Sequence, residues 1–339
     1  MTISTDDQIA FPRLADDLWR VQQGLVPQVD ARLDVGGMLG HLIGGVPKLV
    51  RPMLVLMSSY LFAEPDAPAS ARVIDSAIAT EFLHVGTMCH DDVMDEAASR
   101  RGRESVNARW GNAMAILVGD HLLANAAEIA ARLGAAESRI IAATFRALCE
   151  GQLCETLHLY DKARSEELYY QAITGKTAVL ISAACRLGAM NAGAQLEQVE
   201  ALAEFGLNFG IAFQINDDVL DLVQTAERLG KPAGQDIAEG VYTLPTISAA
   251  TQVKELATLL GRPGREKAER ARELVLASGT VQYCSDAARH HLGLAAAALD
   301  RSAAPDNGAQ GIFGFARGTL NTVGLADAAG EALFYPYKQ

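Results

Sequence analysis

Apolar residues recur three and four positions apart along almost the whole chain, and no segment shows the convincing alternation of a half-buried strand. This periodicity is typical of amphipathic helices that bury one face. Aromatic residues make up only 6 % of the sequence, while alanine and leucine are abundant, and this balance favours helices over sheets. The sequence therefore predicts an all-α fold. The expected helices span residues 12–33, 36–61, 70–95, 112–133, 137–160, 165–188, 195–224, 243–260, 264–278 and 280–301.

The breaks between these helices hold proline, glycine or charged residues. They fall at 65–68, 100–107, 188–193 and 232–240. No Ser/Pro-rich linker divides the chain, so we expect a single all-helical domain over residues 1–339, with a core of about 12–301. Residues 302–339 form an atypical C-terminal tail, in which 303–310 is loop-like and the remainder is rich in glycine and aromatic residues.

The charge and the chain's N-terminal start limit the class of protein. A formal net charge of −12 argues against a general nucleic-acid binder, but allows a phosphorylated substrate if divalent cations are collected first. The five cysteines have no metal-site spacing and are expected as buried residues in a reducing cytoplasm. Residues 1–9 lack the basic stretch of a signal peptide, and charges interrupt the apolar stretches before the roughly 20 residues that a membrane span needs. A cytoplasmic protein with no transmembrane segment is predicted.

One acidic segment occurs twice. Asp-Asp-Val-Met-Asp begins at Asp91, and Asp-Asp-Val-Leu-Asp begins at Asp217. In each copy the outer aspartates are four residues apart, so on a helix they share one face within about 6 Å and repel each other. A single copy could equally be a solvated helix end. Two copies, each after a long apolar run, favour carboxylates that collect Mg²⁺ around a diphosphate, since hard oxygen ligands without histidine or thiolate select this ion.

Basic residues accompany the acidic segments. Arg100 and Arg101 follow the first one directly, and guanidinium groups suit bidentate phosphate binding. Lys48 and Arg51 lie three residues apart. Each cation alone is more often a solvated surface charge. A further pair, Lys176 and Lys231, follows glycine residues. The position of all these basic residues beside breaks and acidic segments predicts that they bind phosphate.

Together these residues resemble the trans-isoprenyl diphosphate synthases, the head-to-tail polyprenyl synthetases, over roughly residues 40–250. The shared motifs, besides the two acidic segments, are Glu81-Phe82-Leu83-His84, Arg100-Arg101-Gly102, Asn107, Gly111, Ala115, Gly119-Asp120, Lys176-Thr177, Phe213-Gln214, Gly230-Lys231-Pro232, Asp236 and Thr243-Leu244-Pro245. So many motifs in the same order make the resemblance highly specific. It implies a large orthogonal helical bundle around a central cavity, of the isoprenoid synthase type I, usually a homodimer.

The resemblance also implies residue roles. Three Mg²⁺ ions, with Mn²⁺ as a substitute, would be ligated by Asp91, Asp95 and Asp217, with support from Asp92, Asp218 and Asp221. The allylic diphosphate would be held by Arg100, Lys176 and Lys231. Isopentenyl diphosphate would be held by Lys48, Arg51, His84 and Arg101. The developing carbocation would lie beside Thr177 and Gln214. A lone histidine on an apolar helix is usually a core residue, but His84 lies two turns before Asp91, which favours a substrate role.

Two positions depart from the family pattern. Val241 stands where a basic residue is usual, so one contact to the allylic diphosphate is expected to be missing. Leu49 stands where many relatives carry another arginine. The residues one turn before Asp91, Gly86 and Thr87, are small where short-chain relatives place an aromatic floor, so we expect products of twenty carbons or more. The alternative for Gly86 is that it lets two helices approach closely.

Other functions share part of this pattern. A class I terpene cyclase shares the fold and the first acidic motif, but replaces the second motif with an Asn/Ser/Glu pattern and lacks the isopentenyl-binding cations. A head-to-head synthase also lacks the Lys/Arg pair. A non-catalytic subunit of a heteromeric prenyl synthase usually loses acids from one motif, and here both are complete. Geranylgeranyl diphosphate synthase remains the narrower alternative within the same chemistry.

Overall fold

The computed structural model describes residues 10–25, 35–43, 49–64, 66–100, 102–223, 233–261 and 264–321. Within these ranges the predicted all-α fold is confirmed. The helices are α1 (Leu14–Gly24), α2 (Val35–Ile43), α3 (Val50–Tyr60), α4 (Ala71–Met94), α5 (Val106–Trp110), α6 (Asn112–Leu133), α7 (Ala135–Leu157), α8 (Glu166–Ile173), α9 (Val179–Asn191), α10 (Leu196–Val223), α11 (Gln235–Glu239), α12 (Leu244–Gln252), α13 (Lys254–Leu259), α14 (Arg265–Ala277), α15 (Thr280–Arg301) and α16 (Asp306–Asn321).

Two short non-α elements lie between helices, one in the break expected at 100–107 and one inside the helix expected over 165–188. The strands β1 (Ser99–Arg100) and β2 (Arg103–Glu104) form a small antiparallel hairpin between α4 and α5. A π-helical turn (Thr174–Ala178) joins α8 to α9.

Three expectations about element boundaries are wrong. The helix expected over 36–61 is two helices, and Leu49 between them has φ 46°, a left-handed conformation that ends helical geometry for a residue with a side chain. The helix expected over 243–260 is interrupted at Val253, which is extended. Residues 303–310 are not simply a loop, because α16 begins at Asp306.

The chain forms two compact units. The first comprises Met1–Arg146, Leu180–Ala203 and Leu299–Ile312, and the second comprises Ala147–Val179, Glu204–Ala298 and Phe313–Gln339. The acidic segment at Asp91 belongs to the first unit and the segment at Asp217 to the second. That the whole chain acts as one domain stays a prediction.

A buried aspartate fastens the N-terminal helix of the first unit. Asp17 on α1 is fully buried and accepts hydrogen bonds from the Tyr60 hydroxyl (2.8 Å), the Ala69 backbone N–H (2.8 Å) and Arg20 (2.7 Å). Three donors offset the cost of burying this carboxylate. Burial, followed by the bond to Asp17, raises the pKa of Tyr60 well above its usual value. The network joins α1, the end of α3 and the residues before α4.

Helices α4 and α6 pack along each other in the first unit. They approach each other closely at two glycines: a Cβ added to Gly86 would lie 3.1 Å from the Gly119 carbonyl oxygen and 3.0 Å from Leu123. Gly86 therefore faces α6. Close packing of the two helices, the alternative given for this glycine, therefore accounts for it.

Helix α6 is long and apolar enough to cross a membrane by length and composition, which differs from the expectation that charges interrupt every apolar stretch. A core helix of a soluble protein passes the same test. Val118, Leu122 and Ala126 on α6 are buried, consistent with its packing on α4.

Glycine also sets close contacts in the second unit. A Cβ on Gly151 of α7 would lie 2.4 Å from the backbone nitrogen of Lys176, and one on Gly175 would lie 2.7 Å from the Cα of Gly151. Only glycine at both positions lets α7 pack directly on the π-helical turn. Such turns are frequent at functional sites. Here the turn carries Lys176 and Thr177, two predicted site residues.

Candidate active site

The first acidic motif lies at the C-terminal end of α4, as predicted. Asp91 and Asp92 are in its last turn, and Asp95 caps the helix, its N–H bonded to the Asp91 carbonyl at 2.8 Å. The three carboxylates differ in exposure: Asp95 is exposed, Asp91 is half-buried and Asp92 is only 1 % exposed. Solvent therefore reaches the two residues predicted as ligands, while the predicted supporting residue is inside the protein.

Asp92 is held by Arg100. The Arg100 guanidinium donates to Oδ1 of Asp92 through Nε at 2.6 Å and approaches it through Nη2 at 2.5 Å. Arg100 reaches this position because strand β1 of the hairpin carries it. Its side chain is still 39 % exposed, so it can both fix Asp92 and face a bound anion. The diphosphate contact assigned to Arg100 stays a prediction.

The loop between motif and hairpin is fixed by short-range bonds. Ala97 donates its N–H to the Asp92 carbonyl at 2.9 Å, and its own carbonyl accepts from Ser105 Oγ and from Asn107 Nδ2, the latter at 3.1 Å. Ser105 also caps α5 by accepting from the Ala108 N–H. Asn107 belongs to the family motifs noted in the sequence, and this bond gives it a role in positioning the loop.

The second acidic motif lies at the C-terminal end of α10, again as predicted. As in the first motif, the second aspartate is buried: Asp217 is exposed, whereas Asp218 and Asp221 are 5 % and 4 % exposed. In both motifs the predicted metal ligands face solvent and the predicted supporting carboxylates are buried.

Asp218 ends a chain of hydrogen bonds. Thr177 donates to Oε1 of Gln214 at 2.7 Å, Gln214 donates through Nε2 to Oδ1 of Asp218 at 2.8 Å, and the Tyr169 hydroxyl donates to Oδ2 of Asp218 at 2.6 Å. The chain fixes the orientation of the Gln214 amide. The structure thus brings together Thr177 and Gln214, which sequence reasoning assigned to the same role.

Tyr169 was not predicted. It is 1 % exposed, and no local pattern marks it, because its partner is 49 residues away. Burial raises the pKa of Asp218 to about 7, and the neighbouring carboxylates Asp217 and Glu155 act in the same direction, while the bonds from Tyr169 and Gln214 lower it. Burial, then Asp218, raises the pKa of Tyr169 well above its usual value, so its hydroxyl remains a donor.

Lys176 forms an ion pair with Glu155 of α7, with Nζ to Oε1 at 2.7 Å. Glu155 is 14 % exposed and was not predicted as a site residue. The pair holds the ammonium group beside the π-helical turn, and the role of Lys176 toward the allylic diphosphate stays a prediction.

Asp221 fastens the segment that follows the second motif. Its carbonyl accepts the Gly234 N–H at 2.7 Å, and its Oδ2 accepts the Asp236 N–H at 3.2 Å. Val241 then bonds back to the Asp236 carbonyl at 2.8 Å through its N–H. The backbone N–H of Val241 thus fixes the chain at the position where a basic residue is usual. The valine side chain supplies no positive charge for the allylic diphosphate.

The predicted isopentenyl-binding residues are placed in part. Arg51 is half-buried in the first turn of α3, and His84 is half-buried on α4. Three predicted cations, Lys48, Arg101 and Lys231, lie outside the described residues.

The donor set fits Mg²⁺. Within the described ranges, no three histidine, cysteine, aspartate or glutamate side chains come together as a ready-made metal cage. Mg²⁺ does not need one, because it usually takes one or two carboxylates and completes its shell with water and substrate phosphates. Exposed carboxylates such as Asp95 and Asp217 suit that mode, and the buried partners Asp92 and Asp218 are already bonded to the protein.

Comparisons with known proteins agree with this arrangement. A family model described as polyprenyl synthetase matches residues 35–277. The chain is 41 % identical to nonaprenyl diphosphate synthase of Mycobacterium tuberculosis over 75 % of this chain and 79 % of that one. It superposes on a decaprenyl diphosphate synthase from Rhodobacter capsulatus with a TM-score of 0.84 and 30 % identity, covering 94 % and 99 % of the two chains.

A third likeness is to a geranylgeranyl pyrophosphate synthase from Corynebacterium glutamicum, whose crystal structure holds calcium and isoprenyl diphosphate. Its TM-score is 0.77 at 34 % identity, over 92 % of this chain and 97 % of that one. Both the family match, which covers more than half of the chain, and the identity to the relatives lead to the same conclusion. The chain belongs to the polyprenyl synthetase family.

Proposed function

We propose that the protein is a trans-prenyltransferase that condenses isopentenyl diphosphate head-to-tail with an allylic diphosphate. The observation that carries this function is the pair of complete acidic motifs, each with solvent-accessible carboxylates in the predicted ligand positions and buried carboxylates fixed by the protein. A terpene cyclase or a non-catalytic subunit would not need both motifs intact. The family membership supports the same reaction.

The reaction begins with cleavage of the allylic C–O bond, whose electron pair leaves with the diphosphate. Mg²⁺, when bound by Asp91, Asp95 and Asp217, supplies electrostatic stabilisation of that leaving group. Arg100 and Lys176 add fixed positive charge on the protein side, as preorganised groups should. Arg100 can do so because Asp92 already orients its guanidinium. Three ions per site, and Mn²⁺ as a substitute, are part of this proposal.

The isopentenyl double bond then attacks the allylic carbocation and forms the new carbon–carbon bond. Loss of a proton from the resulting cation to the released diphosphate restores a double bond. We assign Thr177 and Gln214 to the carbocation, because their oxygen atoms carry partial negative charge and their hydrogen bonds to each other and to Asp218 hold them still. Lys48, Arg51, His84 and Arg101 are assigned to the diphosphate of isopentenyl diphosphate.

The product is a trans-polyprenyl diphosphate of twenty carbons or more, with a medium or long chain favoured. The assignment of product length rests on Thr87, because Gly86 faces α6. It lies one turn before Asp91 on the same side of α4, is half-exposed, and bonds only to the Leu83 and His84 carbonyls of its own helix. A small side chain there leaves room for a growing prenyl chain. The names of the relatives, from geranylgeranyl to decaprenyl synthases, cover this range.

We further propose that the enzyme is a cytoplasmic homodimer. All five cysteines are free thiols, which suits a reducing compartment. On α6, Ile116 and Leu117 are 43 % and 60 % exposed, an apolar face that a second copy would cover.

Incubating the purified protein with labelled isopentenyl diphosphate, Mg²⁺ and dimethylallyl, geranyl or farnesyl diphosphate tests the function. After removal of the diphosphate, the labelled alcohols should form a ladder that exceeds fifteen carbons. Cyclised hydrocarbons, or no incorporation with any primer, would exclude a chain-extending prenyltransferase.

A further inference from the structure

A recess of about 410 Å³ lies on the first unit beside the hairpin. It is lined by Gly37, Gly40, His41, Arg103, Arg109 and Trp110. None of these residues belongs to the predicted site. A smaller recess shares His41 and Arg103 with it and extends to Asp92 and Arg100 of the first acidic motif. The larger recess is thus continuous in its lining with the candidate active site but has its own set of side chains.

The polar side chains of this recess are held in place by one another. His41 Nε2 lies 2.8 Å from the Glu104 carbonyl oxygen, so this nitrogen carries the proton. Its Nδ1 can then accept from Arg103 Nη2 at 3.2 Å, while Arg103 Nη1 donates to the His41 carbonyl at 3.0 Å. Strand β2 carries Arg103, and these two bonds fix its guanidinium.

The second arginine is fixed by an aromatic ring. The guanidinium carbon of Arg109 lies 4.7 Å from the centre of the Trp110 ring, a cation–π contact, and the Trp110 ring meets His41 edge-on at 5.1 Å. Both arginines are therefore preorganised and lose little side-chain freedom when they bind a ligand.

The charge of the recess is not compensated locally. Among the described residues, Arg103 and Arg109 have no ion pair with a carboxylate, although the chain as a whole carries a net charge of −12. The lining is open at Gly40, where an added Cβ would meet no atom within 4 Å. Two exposed, fixed guanidiniums around an open space are suited to an oxyanion with several oxygens, which two forks can share.

We propose that this recess binds the diphosphate group of a prenyl or isopentenyl diphosphate without a metal ion, as a capture site outside the acidic motifs. Binding of the anion needs only the residues of the recess. Its role in drawing substrate toward Asp92 and Arg100 rests on the proposed function. The local positive charge would offset the repulsion that an acidic protein exerts on a polyanionic substrate.

Trp110 provides a local reporter, because the chain has only one other tryptophan, the exposed Trp19. In a Trp19→Phe protein with EDTA present, isopentenyl diphosphate and inorganic diphosphate should change the Trp110 emission in a saturable way. Sulfate at equal ionic strength should not. If only inorganic diphosphate bound, the assignment to substrate capture would be overturned. No saturable response to either compound would overturn the site itself.

Variants locate the response. Arg109→Gln should weaken binding at least tenfold, since a charge-assisted contact is lost. Arg103→Gln should also weaken binding at least tenfold, so that the conclusion does not depend on a single variant. Arg132→Gln, which removes an exposed arginine on α6 that does not line the recess, should leave the response unchanged. Arg51→Ala should also leave it unchanged while impairing turnover, so failure of this inference is distinguishable from failure of the proposed function. Loss of the Trp110 response in Arg51→Ala would contradict a separate site.

Discussion

At the scale of single residues, the candidate site depends on buried groups that no substrate need touch. Asp92 and Asp218 are each about as buried as a core leucine, yet Asp92 follows the half-buried carboxylate of Asp91 and Asp218 follows the exposed carboxylate of Asp217. Arg100 and Tyr169 make that burial tolerable by donating hydrogen bonds. The exposed aspartates can then bind ions while their neighbours keep the helix ends rigid.

Tyr169→Phe tests whether the Tyr169 hydroxyl helps to position Gln214 for catalysis in addition to stabilising the fold. The change leaves Asp218 with Gln214 as its donor on Oδ1 and removes the donor on Oδ2. We expect a stability loss of about 1–3 kcal/mol, because a buried acceptor loses its partner. We also expect a lower kcat with a nearly unchanged KM, since Gln214 would be less firmly held.

Tyr283→Phe is the matched control. Its hydroxyl bonds to Glu166 near the surface at 2.8 Å, so its loss should cost no more than about 1 kcal/mol and leave kcat unchanged. Equal kinetic effects of the two substitutions, or none from Tyr169→Phe, would contradict the positioning role.

His291 on α15 should make the protein less stable in mild acid. Burial, with His290 adding to it, lowers the pKa of His291 to about 4, and its Nδ1 lies 3.0 Å from Asn208 Oδ1. The unfolded chain has an ordinary histidine pKa of about 6.5 and so binds the proton more tightly. This contribution to stability is therefore present above about pH 6.5 and is lost as the pH falls toward 4.

Urea unfolding at a series of pH values between 7 and 4.5 measures this loss of stability. In His291→Gln the free energy of unfolding should fall less steeply with acid than in the wild type, whereas His290→Gln should change the slope little. An unaltered slope in His291→Gln would show that another group causes the acid loss.

At the scale of elements, the α4–α6 contact decides which side chain can control product length. Gly86 packs against Gly119 and Leu123, while Thr87 remains half-exposed. Thr87→Phe should therefore shorten the product, with condensation retained. Gly86→Phe should instead lower stability by about 1–3 kcal/mol or more through overpacking.

For each variant, the chain lengths of the labelled alcohols and the melting temperature are measured and compared with those of the wild type. A shortened ladder from Gly86→Phe with an unchanged melting temperature, together with an unchanged ladder from Thr87→Phe, would contradict this view of the helix.

The long helices could be predicted from the sequence, whereas single-residue breaks and contacts between distant residues could not. Helical periodicity gave α4, α6 and α10 nearly to their ends, because those helices bury long apolar faces. It could not predict the left-handed Leu49 or the extended Val253, since one residue leaves no periodic pattern. The acidic motifs were visible as spacing within one helix, whereas Tyr169 and Glu155 join the site through contacts across 49 and 21 residues.

At the scale of the whole molecule, the proposed dimer is tested through α6. Leu117→Asp places a charge on the exposed apolar face, and a dimer formed there should dissociate at micromolar concentration. Light scattering with size-exclusion chromatography measures the mass, which for one chain is 36.0 kDa. Leu157→Asp, at an exposed leucine at the end of α7, is the comparison. A wild-type mass of one chain would contradict the dimer, and an unchanged dimer in Leu117→Asp would place the interface elsewhere.

The central claim is that both acidic motifs serve one prenyl-transfer reaction. Its most direct test is the rate of incorporation of labelled isopentenyl diphosphate with Mg²⁺ and farnesyl diphosphate, for the wild type, Asp91→Asn, Asp217→Asn and the control Asp286→Asn, whose exposed carboxylate pairs with Arg289. We predict at least about a hundredfold loss in each motif variant, because several kcal/mol of charge stabilisation are removed, with folding retained and Asp286→Asn unaffected. Wild-type rates in either Asp91→Asn or Asp217→Asn would contradict the account.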